Sequence, residues 1–136
     1  MHHSHSNIWT HLVLWTKDHQ RVISYEMNPS IREAMDLVLL ENSDQQLHYS
    51  ILQDHIHLLV KLPGKSSVDN LVQHLQELIC ERLEQNGFRP CIEWDQNYHA
   101  HSVSLNRLSA EKSLLERQEY KHKEISLFEE LKFLGM

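Results

Sequence analysis

Glycine and proline are scarce, three of each in 136 residues. That excludes a collagen-like repeat and a Pro/Gly-rich disordered chain. Internal repeats, low-complexity tracts and linkers are absent too. Two cysteines, Cys80 and Cys91, are too few for a disulfide framework, and the expectation is a pair of reduced thiols in a cytosolic protein. No apolar run approaches the roughly 20 residues that span a bilayer. The opening MHHSHS lacks the apolar segment of a secretory signal. Cations are in deficit, with a formal charge of −6, which argues against a generic polyanion binder. What cations there are gather late, at Arg107, Lys112, Arg117, Lys121 and Lys123, interleaved with acids as on a solvated helix face.

Histidine is what the chain has in excess, twelve in all. With an ordinary pKa near ~6.5, they make the net charge sensitive to mild acidity. The hydrophobic fraction of 40% suits one globular domain over residues 1–136, with 1–6 a flexible His-rich end. A chain of this size buries roughly two-thirds of its unfolded surface.

Residues 7–17, NIWTHLVLWTK, are aromatic and β-branched and predict a first strand. NPSIREAMDLVLLEN follows, with Asn28 as the expected N-cap, Pro29 at the first helical position, and Ile31, Met35 and Val38 at helical spacing. Two strands are expected at 46–52 and 55–62, close enough to pair as a hairpin. Ser67 should cap a long helix bearing Val68, Leu71, Val72, Leu75, Leu78, Ile79 and Leu83, with Gly87 ending it. Residues 91–104 read as extended, 109–118 as a short helix, and 126–134 as a last helical segment. The order β-α-β-β-α-β-α predicts an α+β, ferredoxin-like (RRM-like) fold, an antiparallel sheet with helices packed on one face.

Within that frame DHIHLLV, residues 54–60, is unusual. Strand side chains alternate, so His55 and His57 share a face and Ile56 takes the other. Two neutral imidazoles at one point suit a divalent transition metal. A third ligand must come from elsewhere, and Gln118, late in the short helix, is a candidate. So small a ligand set leaves coordination positions for a substrate oxygen. His99 and His101 form a competing pair at the same spacing. The HHSH at residues 2–5 is a third, adventitious binder of nickel or zinc.

A hydrophobic strand, His-hydrophobic-His and a long amphipathic helix together resemble the HUH motif of single-tyrosine transposases. These belong to the insertion sequence 200/605 group and its REP-associated relatives. The resemblance runs over about residues 7–134. IWTHLVLWTK is similar to the family's first strand, with His11 in a typical place. DHIHLLVKL matches the HUH strand, IEWDQNYHAHSVS the Trp-containing segment, and LLERQEYKHKEISLFEELKFL the C-terminal signature. The resemblance implies cutting and rejoining of single-stranded DNA at hairpin-marked sites, by a homodimer. It implies Mg²⁺ or Mn²⁺ on His55, His57 and Gln118, and a helix tyrosine that forms a 5′-phosphotyrosine link.

One position departs from the family. Its nucleophile lies four residues before the glutamine, one helical turn away on the same face. Here that position is Leu114, in Leu114-Leu115-Glu116-Arg117-Gln118. Leucine cannot attack phosphorus. Tyr120 is a substitute only if the helix ends or shifts, because it lies ~240° around the axis from position 114. Tyr25, Tyr49 and Tyr98 fall outside the helix. The expectation is therefore a transposase-family protein that binds hairpin or single-stranded DNA, with cleavage impaired or lost. The alternative is a DNA-binding regulatory module without catalysis or metal. Metal-assisted hydrolysis by water is a third, weaker reading. Lys61, Lys65, Arg107 and Arg117 are the expected DNA contacts, with Trp9, Trp15 and Trp94 as candidates to stack on bases, Trp9 and Trp15 being as well placed to fill the core. Exposed sheet edges favour dimerisation. The expected setting is the bacterial cytoplasm, at the nucleoid when DNA is bound.

Overall fold

The structure, a computed structural model, describes residues 8–41, 46–62 and 67–121, without the side chains of 62 and 118–121. Strand β1 (Ile8–Trp15) leads through short 3₁₀ turns into helix α1 (Asn28–Glu41). Strands β2 (Gln46–Ile51) and β3 (His55–Leu62) follow, then α2 (Val68–Gln85), β4 (His99–Val103) and α3 (Leu108–Lys121). The last helical expectation, 126–134, lies outside the described residues. The four strands form one antiparallel sheet in the order β2-β3-β1-β4, and the antiparallel α+β fold is the one expected from the sequence.

The sheet's two faces are used differently. Leu12, Leu14, Ile56, Leu58 and Val60 project to one side and pack on Ile31, Met35, Val38, Leu75, Ile79 and Leu83 of α1 and α2. Those helix residues recur at three- and four-residue intervals, so each helix offers one continuous apolar stripe. Helix α3 covers the opposite face, where Leu115 joins Trp9, Leu59 and Val103 in a smaller cluster. Trp9 is thereby a core residue, 4% exposed.

Local signals explain the element ends. The Ser67 hydroxyl accepts from the Asn70 N–H at 3.1 Å and starts α2. Gly87, at φ 89°, reverses the chain after it. Asn28 is not the cap expected of it: its φ of −54° and ψ of −45° are already helical. The 3₁₀ turn Tyr25–Met27 feeds straight into α1, and the extended residue ahead of it is Ser24. Segment 91–104 is strand only from His99 to Val103. Before that, it runs irregularly beside the end of β1, held by the Lys17 N–H on Glu93 O (3.0 Å) and the Asp95 N–H on Trp15 O (3.0 Å).

The reversal at Gly87 also corrects the expectation of two reduced cysteines. It carries Cys91 back alongside α2, within 5.3 Å of Cys80 by Cα, and the two are joined in a disulfide. The bond ties the end of the sheet-covering helix to the segment that delivers β4.

Two outcomes test this packing. Leu75→Ala, at a side chain 1% exposed, should cost about 2–5 kcal/mol in urea unfolding; a loss below about 1 kcal/mol would contradict a filled core there. Reduction of the Cys80–Cys91 bridge, which closes a span of 11 residues, should cost about 2–4 kcal/mol. Free thiols at both positions in a non-reducing peptide map would refute the bridge.

Candidate metal centre

Antiparallel pairing puts directly opposite residues on one face. His11 stands across from His101, and Val13 is flanked by His57 and His99. Trp15 faces His55, and Leu59 faces His48. Thus His11, His48, His55, His57, His99 and His101, six of the twelve histidines, occupy the sheet face under α3. The two pairs that compete in the sequence share this one face. They lie on β3 and β4, on either side of β1, and His11 stands between them.

His55 and His57 are fully buried, with ring centroids 4.9 Å apart in an edge-to-face arrangement. His55 Nδ1 donates to the Asp54 carboxylate at 2.6 Å. Asp54 sits in the β2–β3 turn, whose backbone is fixed by the Thr16 N–H on Asp54 O (2.9 Å) and the Ile23 N–H on Gln53 O (2.9 Å). With the proton on Nδ1, a neutral His55 carries its lone pair on Nε2.

A longer chain of bonds sets His57. Glu111, from the first turn of α3, accepts from His11 Nδ1 at 2.9 Å. A carboxylate can only accept, so the His11 lone pair is on Nε2, which lies 3.0 Å from His57 Nδ1. His57 Nδ1 then donates, and its lone pair is also on Nε2. Both imidazoles of the pair are therefore oriented as ligands by a carboxylate, one directly and one through a second ring. This is the outer support that metal-binding histidines characteristically have. The donor set thus fits a divalent cation. Gln118 and Tyr120 belong to α3 by backbone, but their side chains lie outside the described residues, as does Lys65.

Leu114 is half-buried and lines a pocket of about 430 Å³ with His101, Ser104, Arg107 and Glu111. Its side chain thus sits beside the histidine cluster but offers it no reactive atom. Arg107 and Arg117 are exposed on or near α3, and Lys61 is half-buried on the histidine face of β3. Tyr25 is exposed, Tyr49 packs against the core, and the Tyr98 hydroxyl donates to Asp69. None of these tyrosines belongs to the cluster. Sequence reasoning gave His11 no role and missed Glu111. The usable signal was Glu111 itself, an acid seven residues before Gln118 and so two turns along the same helical face.

Burial, then the charges of His101 and His11, hold His99 below the ordinary histidine range. Burial and then Lys112 do the same for His48, against an opposing pull from Glu116. A lowered folded pKa favours the neutral ring. The stability these rings contribute is complete above about pH 6.5 and is lost as pH falls toward their folded values. NMR titration should show both midpoints below about 6.5, with the urea midpoint falling as the pH drops below about 6.5. A midpoint for His99 above about 6.5 would contradict the geometry around it.

The family model described as "Transposase IS200 like" matches residues 4–118. No curated protein matches significantly. Among solved structures, a protein from Deinococcus radiodurans R1 assigned as a transposase is similar over 87% of this chain and 95% of its own. Its TM-score is 0.64, at 17% identity. A REP-associated tyrosine transposase bound to a REP hairpin is similar over 92% of this chain and 73% of its own, with a TM-score of 0.67 at 12% identity. A match across nearly the whole sheet and into α3 is a match to the unit that builds the histidine face, and the chain belongs to the IS200-like transposase family.

Proposed function

We propose that this transposase-family chain acts as one domain over residues 1–136 and binds hairpin or single-stranded DNA at the ends of a mobile element. In this reading His55, His57 and Gln118 hold Mg²⁺ or Mn²⁺, and tyrosine-dependent cleavage is impaired because Leu114 stands in the nucleophile's place. The observation that carries it is the pair of buried imidazoles, each turned to offer Nε2 by a carboxylate. A bound divalent ion there supplies Lewis-acid polarisation of the scissile phosphate. The chain's own residues orient the ligands and shield them under α3. Glu111 and Gln118 are seven residues apart in α3, about two helical turns.

Hairpin DNA enters this reading from the REP-associated neighbour, which was solved with its hairpin. Lys61, Lys65, Arg107 and Arg117 are the cations assigned to the phosphates. Edge strands β2 and β4 carry unpaired backbone groups, which supports a homodimer through a sheet edge. No helix among the described residues is long and apolar enough to cross a membrane. The setting we assign is the bacterial cytoplasm, at the nucleoid when DNA is bound. A regulatory DNA-binding module without metal is the second reading, favoured by Leu114 and by the net charge of −6.

Labelled hairpin DNA from the flanks of the gene, incubated with Mn²⁺ and run on a denaturing gel, separates these readings. The wild type should form no covalent adduct, Leu114→Tyr should form one, and His57→Ala in that background should abolish it. Glu111→Gln should weaken Mn²⁺ binding about 10–100-fold by releasing the support of His57. An adduct with the wild type would show that another tyrosine, such as Tyr120, does the work. DNA binding with no Mn²⁺ affinity would favour the regulatory module.

A further inference from the structure

We propose that His11, His101 and Glu111 form a second cation site, for a transition-metal dication of the Zn²⁺ class, distinct from the His55–His57 pair. It rests on these three residues and not on metal binding by that pair.

Three elements converge to make it. The β1–β4 register sets His11 directly across from His101, with ring centroids 5.0 Å apart. Helix α3 lowers Glu111 onto both rings. Its Oε2 lies 2.9 Å from His11 Nδ1 and its Oε1 3.9 Å from His101 Nε2. One ligand atom from each residue falls within 4.8 Å of the others. In a tetrahedral zinc sphere, bonds of about 2.0–2.2 Å place neighbouring donors roughly 3.3 Å apart. The separations of 2.9 and 3.9 Å lie on either side of that value.

The donor chemistry chooses the ion. Two imidazoles and one carboxylate suit Zn²⁺ or Co²⁺. Outer partners are in place: His99 Nε2 lies 3.4 Å from His101 Nδ1, and His57 Nδ1 lies 3.0 Å from His11 Nε2. Each ring therefore has a neighbour for the nitrogen that the cation does not use. Access is provided as well. His101 and Glu111 also line the pocket of about 430 Å³ beside Leu114, so water or an anion can fill the remaining coordination positions. The other cluster with cysteine donors, Cys80, Glu84 and Cys91, has its sulfurs joined to each other.

The test is a Co²⁺ titration followed by visible absorption, then displacement by Zn²⁺. It uses the full chain without reductant, carrying His2→Ser, His3→Ser and His5→Ser to silence the N-terminal histidines. One Co²⁺ per chain should appear with ligand-field bands and be displaced by Zn²⁺. His101→Ala and Glu111→Gln should each weaken it by at least ~10-fold, and His55→Ala should change it less than ~2-fold. His101 is on an edge strand with its side chain 28% exposed, so its removal should leave the far-UV spectrum unchanged and keep the test valid if Glu111→Gln unfolds. Unchanged Co²⁺ affinity in a folded His101→Ala, or loss of the bands in His55→Ala, overturns the site.

Discussion

A carboxylate at the end of a file of imidazoles organises this protein. Glu111 accepts from His11, and His11 is bonded in turn to His57. Both rings are fully buried. A buried, poorly paired imidazole is costly, and a buried carboxylate more so. Each solves the other's problem, but only if α3 lies across the sheet at this height. The bond from Glu111 therefore positions a helix as well as a ligand. Leu115, one turn on, seals the same contact against Trp9, Leu59 and Val103.

The two faces of the sheet divide the labour. One is given wholly to packing: apolar side chains from β1 and β3 meet the stripes of α1 and α2. That face supplies most of the hydrophobic core, which leaves the other free to carry polar groups that no core would select. Strand alternation makes the division possible, since every second residue of β1 and β3 can be histidine without disturbing the layer behind it. The disulfide adds a constraint at the far end, holding the approach to β4 against α2.

Much of this is legible in the sequence, for local reasons. The period of two in DHIHLLV is enough to put His55 and His57 on one face. The apolar spacing of 68–83, with Ser67 ahead and Gly87 behind, frames α2 correctly. What could not be read depends on distant parts of the chain. Nothing local fixes which residue of β4 stands across from His11, so the sequence does not show that His99 and His101 share a face with His55 and His57. Glu111 is one acid among many on a short polar helix until the sheet beneath it is known. Cys80 and Cys91 meet only after the chain reverses at Gly87. Asn28 resembles a cap because cap chemistry is local, whereas a 3₁₀ turn feeding the helix satisfies the same geometry by another route.

The contact between His11 Nε2 and His57 Nδ1 has a further consequence. It holds a single hydrogen, and that hydrogen can belong to only one ring. While Glu111 holds the proton of His11 Nδ1, the file has one polarity and His57 points a lone pair outward. A cation seated on His11 Nδ1 expels that proton, so the neutral ring must keep its hydrogen on Nε2 and donate it toward His57. The polarity of the file reverses, and His57 Nε2 becomes a donor, unable to bind metal. Occupation near β4 and occupation at the HUH pair are then alternatives, coupled through one shared hydrogen rather than through any movement of the backbone.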